Sequence, residues 1–187
     1  EAAIKAQELL ASGIAFLMKE TEVPITVVCH SGNHGRMSAK QRIAAEYGNS
    51  LETYLYHNLA RQFASERVRF VIPRSYHSYV DVYGQVIRFH HGHFVKYQGG
   101  VGGLYIPMNK AIAQWDKARK ADLSVCGHWH QLRDGGNFLV NGSVIGYNSY
   151  GVSIKADFER PAQLFFVIKR WSDGRVARCG YSPIFTE

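Results

Sequence analysis

Ile4, Leu10, Ile14, Leu17 and Met18 recur close to a 3.6-residue period, with Lys5, Glu8 and Lys19 on other faces, so residues 2–19 are predicted to form an amphipathic helix. After Pro24 the period changes. Ile25-Thr26-Val27-Val28-Cys29 is a β-branched run of the kind a buried strand carries, and it stops in the turn His30-Ser31-Gly32-Asn33-His34-Gly35-Arg36. A second helix is predicted from Asn49 or Ser50 as N-cap through Leu51, Leu55, Leu59 and Phe63. Strands follow at 68–72, 79–83 and 85–90, the last running into His91-Gly92-His93. Pro107 falls in the first turn of a helix carrying Ile112, Trp115 and Ala118. Leu123-Ser124-Val125-Cys126 is a further strand, leading into Gly127-His128-Trp129-His130. Residues 138–141 and 163–171 read as strands, and Ser172-Asp173-Gly174-Arg175 as the hairpin turn into 176–178. Helices and strands alternate first and strands dominate later, which predicts an α/β fold in a single domain over 1–187.

Composition narrows the class. Hydrophobic residues make up 46 % and aromatic residues 13 % of the 187, too much apolar surface for a disordered chain. Cys29, Cys126 and Cys179 are odd in number and far apart, which argues against a disulfide scaffold and for the reduced thiols of a cytoplasmic protein. No apolar run reaches the ~18 residues of a membrane span, so no membrane partner is expected. The net charge of +7 points weakly toward polyanionic partners, nucleic acid among them. Tyr47, Tyr54, Tyr56, Tyr76, Tyr79 and Tyr83 lie among Arg61, Arg67, Arg69, Arg74 and Arg88, a mixture able to stack bases and hold phosphates or, equally, to serve the core and sheet.

The chemistry lies in the histidines. Of nine, His34, His91, His93, His128 and His130 sit in small-residue turns just after predicted strands, with Asn33 beside the first. Ligands gather at the carboxyl ends of strands in α/β sheets, and imidazole suits Zn, Mn, Fe or Ni. In His-x-His, alternate residues of extended chain share a side, so one motif could serve two neighbouring metals. His30, His57 and His77 lack such a setting and are read as structural or solvated.

Gly32-Asn33-His34, His91-Gly92-His93 and Gly127-His128-Trp129-His130, with Val140-Asn141-Gly142-Ser143 after them, resemble in order and spacing the calcineurin-like metallophosphoesterases. The resemblance spans about residues 23–145. It implies a two-sheet sandwich flanked by helices, and metal-dependent hydrolysis of a phosphoester by a phosphatase, phosphodiesterase or nuclease. It further implies that Asn33, His91 and His128 hold one metal and that His130 helps hold a second. His34 then serves as catalytic acid or transition-state stabiliser. Arg36 is counted with it because guanidinium matches phosphate geometry; the other reading is a solvated loop arginine.

Three departures shape the expectation. The family's opening D-x-H and G-D-x-x-D occur nowhere in the 187 residues, and Gly35 stands where the family usually has Asp or Glu to orient the histidine. The chain is therefore expected to be N-terminally incomplete, to hold at most one of the family's two divalent metals and to be weakly active or inactive. An unpaired edge on the strand from Ile25 is expected to favour homo-oligomers. The alternative is a non-catalytic binding module that keeps the fold. A single structural zinc site, with Cys126 as a ligand two residues before His128, is the third reading.

Overall fold

The computed structural model describes residues 1–40, 46–97 and 99–186. The chain divides into two compact units, Glu1–Ser78 and Tyr79–Glu187. No described helix is long and apolar enough to cross a membrane.

In the first unit, helix α1 spans Ala2–Glu20, strand β1 Ile25–Val28, helix α2 Leu51–Gln62 and strand β2 Val68–Val71. β1 and β2 pair in parallel, from Ile25 opposite Val68 to Val28 opposite Val71. The pairing is extended at both ends by Ile25 N–H donating to Arg67 and Cys29 N–H to Val71. A short 3-10 turn at Tyr47–Asn49 leads to Ser50, whose hydroxyl accepts from Glu52 N–H at 3.2 Å and caps α2. Ser50 is thus the cap of the two expected. Thr53, Leu55 and Leu59 form the buried side of α2.

α1 forms where expected but faces otherwise. Its inward stripe is Ala3, Gln7, Ala11, Ile14 and Met18, with Ile14 alone fully buried. Ile4, Leu10 and Leu17, expected on the covered face, are 66 %, 46 % and 47 % exposed. The helix is apolar around most of its circumference, so periodicity did not single out one face.

The second unit contains a five-stranded sheet of β3 Ser78–Val82, β4 Gln85–His90, β5 Leu123–Cys126, β6 Arg133–Asp134 and β7 Phe138–Val140, in the order β3-β4-β5-β7-β6. β4, β5 and β7 run parallel and β6 closes the edge antiparallel to β7. Helix α3, Tyr105–Trp115, connects β4 to β5. Ala118, expected within it, lies just beyond its end.

Alternation along the strands builds two cores. On one face Cys126, Phe138 and Val140 pack with Val95, Leu104, Met108 and Ile112 under α3. On the other, Ile87, Leu123 and Leu139 meet Leu164, Phe166 and Ile168. These last belong to strand β8, Ala162–Arg170, paired antiparallel with β9, Val176–Phe185. A two-stranded sheet therefore packs on a five-stranded one with a helix on the opposite face, the α/β sandwich expected from the sequence.

Arg88 corrects another reading. Instead of offering a phosphate contact, it lies fully buried on the α3 face of β4. Its guanidinium donates to Asp116 Oδ1 at 2.5 Å, Arg119 carbonyl at 2.6 Å, Ser124 Oγ at 3.3 Å and Tyr79 hydroxyl at 3.3 Å. It also lies over the Trp115 ring, 5.7 Å from its centroid. A buried cation is tolerated because nearly all its donors are met and a carboxylate balances its charge.

Candidate metal centre

The second unit brings two histidine turns together. β4 and β5 pair so that His90 stands opposite Cys126. Both chains leave the sheet side by side, and Gly127 N–H donates to the His91 carbonyl at 3.0 Å. Gly92 has φ +115°, and a Cβ there would meet the Gly127 carbonyl at 3.0 Å and His128 Cβ at 3.2 Å. Only glycine lets the turns approach this closely, which gives the central residue of His-Gly-His a physical reason.

As a result, three half-buried imidazoles adjoin. Ring centroids are 5.2 Å apart for His91 and His93, 5.0 Å for His91 and His128, and 6.1 Å for His93 and His128. A nitrogen bound at about 2.1 Å places its ring centroid about 3.2 Å from a metal, so two rings on a tetrahedral ion stand about 5.2 Å apart. The spacing fits one ion. The rotamers do not, because no group of three His, Cys, Asp or Glu side chains among the described residues is arranged to hold one.

Burial, with His128 as the second cause, pushes the His93 imidazole down to about 4. It is therefore neutral near pH 7, the state in which a ring nitrogen offers a lone pair to a metal. The Gly127–His130 turn is strained as well. His128 and His130 have φ of +71° and +55°, a left-handed backbone that costs a residue other than glycine about 1–2 kcal/mol.

The family resemblance does not make His93 a ligand; the structure joins it to His91 and His128. His130 is placed differently. It is exposed, and its ring lies 5.9 Å from that of Tyr150. Cys126 is buried among Met108, Phe138 and Val140, and burial pushes its thiol up to about 12. Its side chain forms part of the apolar core under α3. Asn141, in the segment likened to the family's last motif, anchors β8. Its Oδ1 accepts from Leu164 N–H at 2.7 Å and its Nδ2 donates to Gln163 at 2.9 Å.

Asn33, His34 and Arg36 lie in the first unit, in the turn that follows β1. His34 and Arg36 are exposed, and the Arg36 guanidinium donates to the Asn33 carbonyl, bracing the turn. Its backbone bridges to Ser50. Sequence reasoning missed Glu52. Its carboxylate accepts from Gly32 N–H, and a Cβ at Gly35 would stand 2.6 Å from its Cγ and Cδ. The space beside His34 that a side chain at position 35 would use is filled by Glu52 from α2. Gly35→Ala is therefore expected to expel Glu52 and to cost about 1–3 kcal/mol, the worth of a charged hydrogen bond. Thermal denaturation would show it, and adding Gly35→Ala to Glu52→Ala should cost almost nothing more.

His30 and His57 are structural, as expected. His30 Nε2 lies 2.8 Å from Ser78 Oγ, and His57 Nε2 2.7 Å from the Tyr47 hydroxyl. Burial, then His77, pushes His30 down to about 4.

No family model matches the chain and no curated protein matches it. Solved structures of Vps29 from Entamoeba histolytica are similar to it. The wild-type protein complexed with Zn2+ is 18 % identical, with 84 % of this chain and 98 % of that one covered and a TM-score of 0.42. A double mutant of that protein is 20 % identical over 91 % of this chain and 88 % of that one, with a TM-score of 0.42. At that level of likeness no residue role passes from those proteins to this chain.

Proposed function

We propose that this chain is a metal-binding phosphoester domain of metallophosphoesterase type, acting as a binding module more than as a hydrolase. The observation that supports it is the cluster of His91, His93 and His128, three adjoining imidazoles at one end of a parallel sheet. Three imidazoles suit one divalent transition ion, Zn or Mn among the candidates, with a position left open. When bound, the ion supplies a Lewis acid for a phosphoryl oxygen. His91 and His128 would hold it, and His93 would complete the set by turning its ring. Hydrolysis of the two-metal kind needs carboxylates to hold and bridge the pair, which these residues do not offer.

The hydrolase reading is the second, and the strained left-handed backbone at His128 and His130 favours it, since such strain collects at sites that do chemistry. Two assays separate them. Bis(p-nitrophenyl) phosphate and p-nitrophenyl phosphate report turnover with Zn or Mn, and 31P line broadening of methyl phosphate reports binding to the Mn-loaded chain. The expected result is metal-dependent binding with turnover no faster than the free metal gives. Turnover that disappears in His128→Ala would establish the hydrolase; neither binding nor turnover would remove both.

A further inference from the structure

We propose that the cavity beside Gly127–His130 receives the non-phosphate half of the phosphoester, and that it selects a single planar ring bearing N–H donors. The inference rests on the phosphoester reading and adds the class of group attached to the phosphate. The cavity has a volume of about 110 Å³, and His128, Trp129, His130, Tyr147, Tyr150 and Ile154 are among the residues that line it. An enclosed cavity of ~150 Å³ holds benzene, so this smaller, open one takes at most a single ring that stays partly in solvent. Tyr147, Tyr150 and Ile154 are 39 %, 51 % and 53 % exposed, a concentration of apolar side chains at one opening that the core does not use.

Polarity supplies the rest. Asp157 and Glu159 also line the cavity. The Glu159 carboxylate is already taken up by Leu132 N–H and Arg133, which leaves the exposed Asp157 carboxylate to attract an N–H donor on the ring edge. The wall is held in place before any ligand arrives. Tyr147 N–H donates to the Glu159 carbonyl at 3.0 Å, and Leu132 N–H to Glu159 Oε2 at 2.8 Å. Arg133 pairs with the same carboxylate. Helix α4, Ser149–Ile154, is capped by Asn148, whose side chain accepts from Tyr150 N–H at 3.0 Å and Gly151 N–H at 3.2 Å. A Cβ on Gly151 would come within 3.1 Å of the Tyr147 ring, so this glycine sets where that ring lies.

The probes are cytidine, whose ring edge carries an exocyclic amino donor beside a bare ring nitrogen, and uridine, which has a carbonyl and a single ring N–H in those places. Saturation-transfer NMR on the full chain in EDTA measures both without phosphate or metal. Cytidine is expected to bind in the millimolar range and about five-fold or more tighter than uridine. Tyr150→Ala should weaken it by a similar factor through lost stacking, and Asp157→Asn should erase the preference between the two nucleosides. Both residues are exposed, so thermal melts should match the wild type. Equal binding of both nucleosides, indifference to Tyr150→Ala, or no saturable binding would each overturn the proposal. Loss of the phosphoester reading is seen separately, as failure of the chain to take up zinc, because no metal enters the nucleoside measurement.

Discussion

Asp116→Ala should destabilise the protein by about 3–5 kcal/mol, the cost of leaving a buried cation without its carboxylate. Arg88 is 0 % exposed, and the Asp116 carboxylate at 2.5 Å is its one anionic partner among the described residues. The Arg119 carbonyl, Ser124 and Tyr79 remain to accept hydrogen bonds, but none cancels the charge. In a chain of this size the midpoint should fall by about 10 °C or more. The double variant Arg88→Met/Asp116→Ala should recover at least half of the loss, because removing both members takes the uncompensated charge away. Urea denaturation of the two variants measures this directly. A double variant as unstable as Asp116→Ala would mean that the guanidinium is held by its neutral acceptors and by Trp115, with the carboxylate incidental.

His128→Ala, His91→Ala and His93→Ala should each reduce zinc affinity by about 100-fold or more, since loss of a donor exceeds the 10–100-fold typical of groups behind the ligands. Competition against a chromogenic chelator gives the affinities, and elemental analysis should find about one ion per wild-type chain. His93→Ala is the informative member. Unchanged affinity there would show that His93 is not a ligand. His130→Gly should behave oppositely, keeping the ion and raising the melting temperature. Glycine accepts a φ of +55° without the penalty histidine pays, worth about 1 kcal/mol. A melting temperature that falls in His130→Gly would show that the contact with Tyr150 outweighs the backbone strain.

The sequence by itself determined the short strands and the turns at their ends. β4 and β5 begin and end where the β-branched and apolar runs do, because a strand buried on both faces has few other ways to write itself. The alternation of extended chain also made His91 and His93 legible as neighbours on one side, whereas the close backbone approach at Gly92 came from the structure. Local signals failed where elements were short or irregular. α4 has six residues and a glycine among them, too few turns to show a period, and its only mark was Asn148 as cap. β9 continues to Phe185 through Gly180 and Pro183, residues that ordinarily argue against a strand; pairing with β8 overrides them.

Tertiary structure alone decided what was buried against what. Arg88 alternates with Ile87 and Phe89, which reads as an outward-facing residue until α3 covers that face and Asp116 and Trp115 close around the guanidinium. The covered face of α1 was undecidable for the reverse reason, as its sequence is apolar on more than one side. Glu52 lies 17 positions after Gly35 in sequence, yet its side chain fills the space beside that glycine. His93 became a partner of His128 only through the parallel pairing of β4 and β5. Each of these depends on contacts between residues far apart in the chain, and a hydrophobic or polar period records only which sides of an element differ, never which neighbour will meet them.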